Sequence, residues 1–277
     1  LSIWKFYLNF VPAEFLPKID FAMLVRVSAI SYLNTIPFVY GLENHPIRKK
    51  IDMELSTPAQ AAEKLQKGYI DIGIVPVAII PQVENNLIIS DYCIGAEGKV
   101  ASVLLCSSKP IDKIEEIYLD IESRTSVLLS RVLAKHYWKI SPHYIDYNFS
   151  KESLDLSKSY VLIGDKALKH GQDFEYVYDL AEEWIKFKHL PFVFACWTAN
   201  KDLDPSFIAE FNDALKFGVD NIEKAVERYS TGFNKEFALK YLANNVSYNL
   251  NADKRAGLSE FWSLALDELK SKVRWFG

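Results

Sequence analysis

Leu190-Pro-Phe-Val-Phe-Ala-Cys-Trp197 carries no charged side chain and shows no polar alternation. A strand of that composition has no face to give to water, so it must be covered on both sides. That demands a sheet with helices packed over it. The first part of the chain supplies the pieces. Val25 to Ile30 is a β-like run. Thr57-Pro58-Ala59-Gln60 is a capping box with Pro at the first helical position, and Gly68 closes the helix that follows. Tyr69 to Val75, rich in β-branched residues and ended by Pro76, is the next strand. Strand, helix and strand in this order predict parallel βαβ units.

A second block repeats the pattern. Val100 to Ser107 reads as a strand stopped by Pro110, and Ile117 to Asp120 as a short one. Ser123-Arg-Thr-Ser126 is a polar turn, and Val127 to Tyr137 a helix with Val127, Leu128, Val132 and Leu133 inward. Tyr160 to Ile163 is a buried strand broken by Gly164-Asp165. After Trp197 the pattern turns helical. Asp204-Pro205 caps a helix with Phe207, Phe211, Leu215, Ile222 and Val226 on one face. Asn251 caps a last one carrying Leu258, Phe261, Trp262, Leu266 and Leu269. No flexible linker separates the blocks. The chain is therefore expected to be α/β, with two αβ lobes joined by crossing strands, a ligand cleft between them and a helical C-terminal segment. Lobe 1 takes residues 23–100 and 197–277, and lobe 2 takes 101–196. The first crossing falls near Lys99 to Ser102 and the return near Ala195 to Trp197. Strand ends and helix starts from both lobes would then surround one cleft.

Composition narrows the ligand class. A formal charge of −4 provides no basic footprint for nucleic acid. Cys93, Cys106 and Cys196 are widely spaced and odd in number, so they read as buried, reduced thiols. The five histidines form no ligand-spaced pair, so no metal is expected. No segment reaches the ~18 apolar residues of a membrane span. Pro12, Glu14, Pro17, Lys18 and Asp20 interrupt any signal-peptide core, and Met23 stands just before the first strand. Residues 1–22 are therefore expected to be an extension outside the fold, and the location to be cytoplasmic.

Three polar turns could carry chemistry. Ser31-Tyr-Leu-Asn-Thr35 follows the first strand, Ser123-Arg-Thr-Ser126 opens a helix, and Gly164-Asp165 follows a buried strand. Each, taken alone, is satisfied by helix capping worth ~1 kcal/mol. Two facing turns with the Arg124 guanidinium would instead make a dianion cleft. Ser102, at the first crossing, is either a strand serine bonded to backbone or part of the cleft floor. No Gly-x-Ser-x-Gly elbow surrounds it, which argues against a hydrolase nucleophile. Asp165 is a candidate base or a turn carboxylate, and Trp197 a core residue or a cleft wall.

Six segments in order resemble the chorismate dehydratase family of the futalosine route to menaquinone. They are Ser31-Tyr-Leu-Asn-Thr-x-Pro37, Asp71-Ile-Gly-Ile-Val-Pro-Val77, Gly98-Lys-Val-Ala-Ser-Val103, Leu119-Asp-x-x-Ser-Arg-Thr-Ser-Val127, Leu162-Ile-Gly-Asp165 and Leu190-Pro-Phe-Val-Phe-Ala-x-Trp197. The resemblance implies a fold like type II periplasmic solute-binding proteins, working inside the cell as a lyase without metal or organic cofactor. Its substrate would be chorismate, dehydrated to 3-[(1-carboxyvinyl)oxy]benzoate. By the same analogy Asn34 and Ser102 position the substrate and assist the leaving hydroxyl, and the enolpyruvyl carboxylate takes the proton. Ser31, Thr35, Ser123, Arg124, Thr125, Ser126, Gly164, Asp165 and Trp197 would bind substrate.

Two other readings compete. The sister enzyme 1,4-dihydroxy-6-naphthoate synthase has an early Ser-Pro-Cys-x-Asn-Asp turn, absent here. A non-enzymatic solute-binding protein for a small carboxylate would carry an export signal. One departure stands out: the family usually has Thr-Gly where this chain has Lys188-His189, which alters a loop beside the return crossing.

Overall fold

The computed structural model describes residues 24–149, 152–229, 232–265 and 273–276. The expected extension at 1–22, Met23, Leu266 and Leu269 lie outside the described residues. β1 (Val25–Ile30) runs through a 3-10 turn into α1 (Ile36–Asn44), and β2 (Ile51–Ser56), α2 (Pro58–Gln66), β3 (Ile72–Pro76) and β4 (Leu87–Ala96) follow. The chain then builds β5 (Val103–Ser107), β6 (Glu116–Asp120), α3 (Thr125–Leu133), β7 (His143–Tyr147), β8 (Tyr160–Ile163), α4 (Gly164–His170), β9 (Tyr176–Asp179) and α5 (Leu180–Lys188). β10 (Phe192–Ala199) leads into α6 (Pro205–Val219), α7 (Ile222–Arg228), α8 (Lys235–Asn244), β11 (Ser247–Asn249), α9 (Ala252–Ala265) and β12 (Arg274–Trp275).

These strands form two sheets. The first has the order β11-β4-β10-β3-β1-β2, with β12 beside β4; the second is β7-β6-β8-β5-β9. β1 pairs in parallel with β2 and β3, as the strand–helix–strand pattern predicts. β10 lies antiparallel between β3 and β4, and every one of its residues is buried. Trp197 meets α1 and α6 through Phe38 and Phe211, at ring separations of 5.9 and 5.1 Å. Phe192 meets α5 and α9 through Trp184 and Phe261, at 5.4 and 5.0 Å. The apolar run is covered by helices from both halves of the chain, which is why it needs no polar face.

The chain passes between the sheets twice, from β4 to β5 and from α5 to β10. Ala195 to Trp197 lie inside β10, so the return crossing comes earlier, at residues 189–191. The three cysteines are free and buried, with Cys93 directly opposite Cys196 on β4 and β10. The capping box at Thr57 and Gln60 is present on both sides.

Two helix boundaries differ from the expectation. α3 begins at Thr125, because the Thr125 hydroxyl bonds groups on other segments and does not compete for its own helix backbone. The helix expected to run from Asp204 through Val226 breaks at Asp220-Asn221, where the Asn221 amide donates to the Phe217 carbonyl at 2.8 Å.

Lys188-His189 closes α5, with His189 at φ 58°, in the left-handed region. Glycine enters that region freely, whereas a side chain there costs on the order of 1 kcal/mol. The His189 side chain is exposed. His189→Gly is therefore expected to stabilise the protein by about 0.5–1 kcal/mol, less the gain in unfolded-chain freedom. A lower melting temperature for the glycine variant would mean that the imidazole holds this corner in place.

Candidate functional site

A cleft with about 70 Å³ of enclosed space lies where the turn after β1, the first crossing, the start of α3, the end of β8 and the middle of β10 meet. Its polar lining comes from Tyr32, Asn34, Thr35, Ser102, Ser123, Arg124, Thr125, Ser126 and the backbone at Gly164. Ile30, Ile94, Val100, Val103, Ile163 and Phe194 supply apolar walls. Among the described lining residues Arg124 brings the one full charge, and neither a carboxylate nor a histidine is present. Its one full charge among the described residues is positive, which favours an anion.

The start of α3 explains how. Its N-cap position is Arg124, whose side chain does not cap the helix, so the first-turn N–H groups have no side-chain acceptor. These groups, the helix dipole and the Arg124 guanidinium together favour a carboxylate at this end of the cleft. The Ser123 and Ser126 hydroxyls, both largely buried, have no hydrogen-bond partner among the described residues.

Thr125 differs from its neighbours. Its hydroxyl donates to the Phe194 carbonyl at 3.0 Å and accepts from the Ala78 N–H at 3.3 Å. It ties the helix start to β10 and to the turn after β3. Thr35 is engaged likewise: its hydroxyl lies against the carbonyls of Ile30 and Tyr32, the latter at 2.8 Å. The two threonines shape the cleft.

We therefore expect Ser126→Ala to raise KM several-fold with little change in kcat, because it removes a contact made equally in ground and transition states. Thr125→Val should instead lower stability by about 1–3 kcal/mol, since it leaves a buried N–H and a buried carbonyl without their partner. Steady-state kinetics and thermal unfolding separate the two; a pure stability loss in Ser126→Ala would remove it from the binding set.

Ser102 also lines the cleft and is 1% exposed. Three contacts fix it. Ala101, at φ 61°, has its N–H held by Asp179 Oδ2 at 2.7 Å. The Ser102 carbonyl accepts the Gly164 N–H at 2.7 Å. The Ser102 hydroxyl accepts from Tyr241 on α8 at 2.8 Å. Burial raises the Asp179 pKa, against the pull of the Ala101, Glu182, Val100 and Ala181 N–H groups. Asn34 stands beside this group, and its backbone carbonyl accepts from the Tyr248 hydroxyl at 3.0 Å.

Gly164 is required at its place for two reasons. Its φ is +55°, and a Cβ would stand 3.0 Å from the Tyr32 ring. Tyr32 thus reaches toward Gly164, and its buried hydroxyl, with the Glu122 carboxylate nearby, makes no hydrogen bond within normal geometry among the described residues. Burial, with Glu122, Asp120 and Asp165 nearby, raises its pKa well above the ordinary phenol value.

Three of the residues expected at the site do not line the cleft. Ser31 is exposed and uses its N–H on the Ser56 carbonyl at 3.1 Å. Asp165 accepts the Leu33 N–H at 3.2 Å, joining α4 to the turn after β1. Trp197 is fully buried against Phe38 and Phe211. Conversely, Tyr32, Tyr241, Tyr248 and Asp179 carry no local signal that would single them out. No group of three or more His, Cys, Asp or Glu among the described residues could hold a metal, and no described helix is long and apolar enough to cross a membrane.

Comparison with known proteins gives the family and the fold. The family profile described as menaquinone biosynthesis matches residues 25–267. A curated relative from Thermus thermophilus, named chorismate dehydratase, is 24% identical over 255 residues, 81% of this chain and 94% of its own length. Among solved structures, a protein from Archaeoglobus fulgidus superposes with a TM-score of 0.71 at 16% identity, covering 88% of this chain and 97% of that one. The periplasmic aliphatic sulphonate binding protein SsuA from Escherichia coli superposes with a TM-score of 0.56 at 15% identity, over 90% and 94% of the two chains. A Candida albicans protein described as having the generic periplasmic binding protein fold gives 0.52 at 13%, over 92% and 98%. The architecture is periplasmic-binding-protein-like.

Proposed function

The chain belongs to the menaquinone biosynthesis family, and from that premise we propose that it is a chorismate dehydratase, a lyase forming 3-[(1-carboxyvinyl)oxy]benzoate in the futalosine route. One observation supports the reading: Ser123, Arg124 and Ser126, at a helix start with no N-cap side-chain bond, line one cleft with Asn34 and Ser102, and no carboxylate is among its described lining residues. Chorismate has two carboxylates on a small unsaturated ring. The start of α3 suits one of them, and the apolar walls suit the ring.

The chemistry asks for little more. The ring C–H that is lost is conjugated through a double bond to the ring carboxylate. Hydrogen bonds to that carboxylate stabilise the negative charge that develops as the proton leaves. The electron pair of the C–H bond then forms a ring double bond as the neighbouring C–O bond breaks. Hydroxide departs, takes up a proton as water, and leaves an aromatic ring. Neither carboxylate nor histidine lines the cleft among the described residues. The enolpyruvyl carboxylate of the substrate itself takes the ring proton in this reading. Ser102, with its own proton free to donate, faces the departing hydroxyl, while Asn34 orients the ring. Apolar walls keep the site dry. The cytoplasm is the proposed location.

The direct test is to incubate the purified protein with chorismate, with and without a chelator, and to watch for the aromatic enol ether. Conversion that survives chelation is expected. Saturable chorismate binding with no product would support the non-enzymatic carboxylate-binding reading. Turnover lost on chelation and restored by a divalent ion would overturn the cofactor-free mechanism.

A further inference from the structure

We infer that Tyr241 is a positioning residue for Ser102, setting which way the serine proton points during the reaction. The inference rests on the reading of Ser102 given above. Tyr241 itself does not line the cleft. It is 3% exposed on α8, and its hydroxyl donates to Ser102 Oγ at 2.8 Å. The backbone on either side of Ser102 is already held, at the Ala101 N–H and at the Ser102 carbonyl. The hydroxyl rotor is the freedom that remains. A phenol is a better donor than an alcohol, so the bond occupies one lone pair of Ser102 and leaves the serine proton for the cleft side.

The tyrosine is itself held. Its ring is nearly parallel to Phe237, which is nearly parallel to Phe233, with interplanar angles of 7° and 21°. Burial keeps the phenol proton on, raising its pKa well above the ordinary value, with smaller opposing effects of Ser102 and Asn34. Tyr241 therefore remains a donor throughout the neutral range. In the same stretch of chain Tyr248 holds the Asn34 carbonyl. The C-terminal segment thus holds both residues proposed to face the reacting bond.

The test is steady-state kinetics with chorismate on Tyr241→Phe, Ser102→Ala and the double variant. Tyr241→Phe should lower kcat about 5- to 10-fold with KM within about two-fold, since one oriented hydrogen bond is lost. In the Ser102→Ala background the same change should have no further effect, because the tyrosine acts through the serine. A normal kcat in Tyr241→Phe beside an impaired Ser102→Ala overturns the inference and leaves the site reading intact. A raised KM at unchanged kcat, or a further fall in the double variant, overturns it too. Normal turnover in Ser102→Ala overturns both. Should Tyr241→Phe fail to fold, 3-fluorotyrosine at position 241 keeps the shape and strengthens the donor. A kcat changed two-fold or more with KM unchanged then supports the inference, and an unchanged kcat overturns it.

Discussion

Asn34→Ala and Ser102→Ala are each expected to lower kcat on the order of 10²-fold or more, the cost of removing one oxyanion-hole donor. Both residues line the same cleft as the anion-favouring start of α3. A carboxylate seated at α3 is charged before and after the reaction, so contacts there bind substrate and product alike. In the proposed mechanism Asn34 and Ser102 act at the bonds that change, and so most strongly in the transition state. Chorismate should therefore still raise the melting temperature of either variant. The serine change carries a separate stability cost, because the buried Tyr241 hydroxyl loses its acceptor. That cost is about 1–3 kcal/mol, so kinetics should be measured well below the midpoint of unfolding. Normal turnover in both variants, or a loss confined to KM, would make Asn34 and Ser102 mere supports of the turn and crossing.

What the sequence disclosed of this site follows a physical division. Turns that present several polar groups within a few residues were legible, because a strand end followed by a helix start is a local pattern. That is why Asn34, Ser123, Arg124 and Ser126 could be named; Ser102 was singled out by its place at the first crossing and by the family resemblance, and all five line one cleft. The two-sheet α/β architecture was legible for a related reason: Leu190 to Trp197 can exist only under two layers. What each hydroxyl does was not legible. Thr125 and Ser126 look alike in sequence, yet one bridges Phe194 and Ala78 while the other makes no such bridge among the described residues. Trp197 could wall a cleft or fill a core, and only the packing of Phe38 and Phe211 decides for the core. Tyr241 lay furthest out of reach. It meets Ser102 across 139 residues, from a helix whose sequence shows only amphipathic character.

Gly218→Ala is expected to destabilise the protein by about 3 kcal/mol or more, at the upper end for overpacking. A Cβ at Gly218 on α6 would stand 1.9 Å from the carbonyl oxygen of Pro37 on α1. From the other side, a Cβ at Gly41 would stand 2.1 Å from the carbonyl oxygen of Ala214. Backbone meets backbone here, so no side chain can swing aside, and the added methyl has to push the helices apart. Their separation has consequences for the site. Pro37 lies in the first turn of α1, two residues after Thr35 and three after Asn34, so shifting α1 shifts the turn that carries Asn34. Phe38 would move with it, loosening the packing on Trp197 and Tyr248. The variant should therefore lose catalytic rate as well as stability, even at temperatures where it remains folded. Thermal unfolding and kcat measured together test this. A melting temperature within a degree or two of the parent would mean that α1 and α6 can separate freely. Lost stability with kcat unchanged would mean that the Asn34 turn is held by β1 and Tyr248 without help from α1.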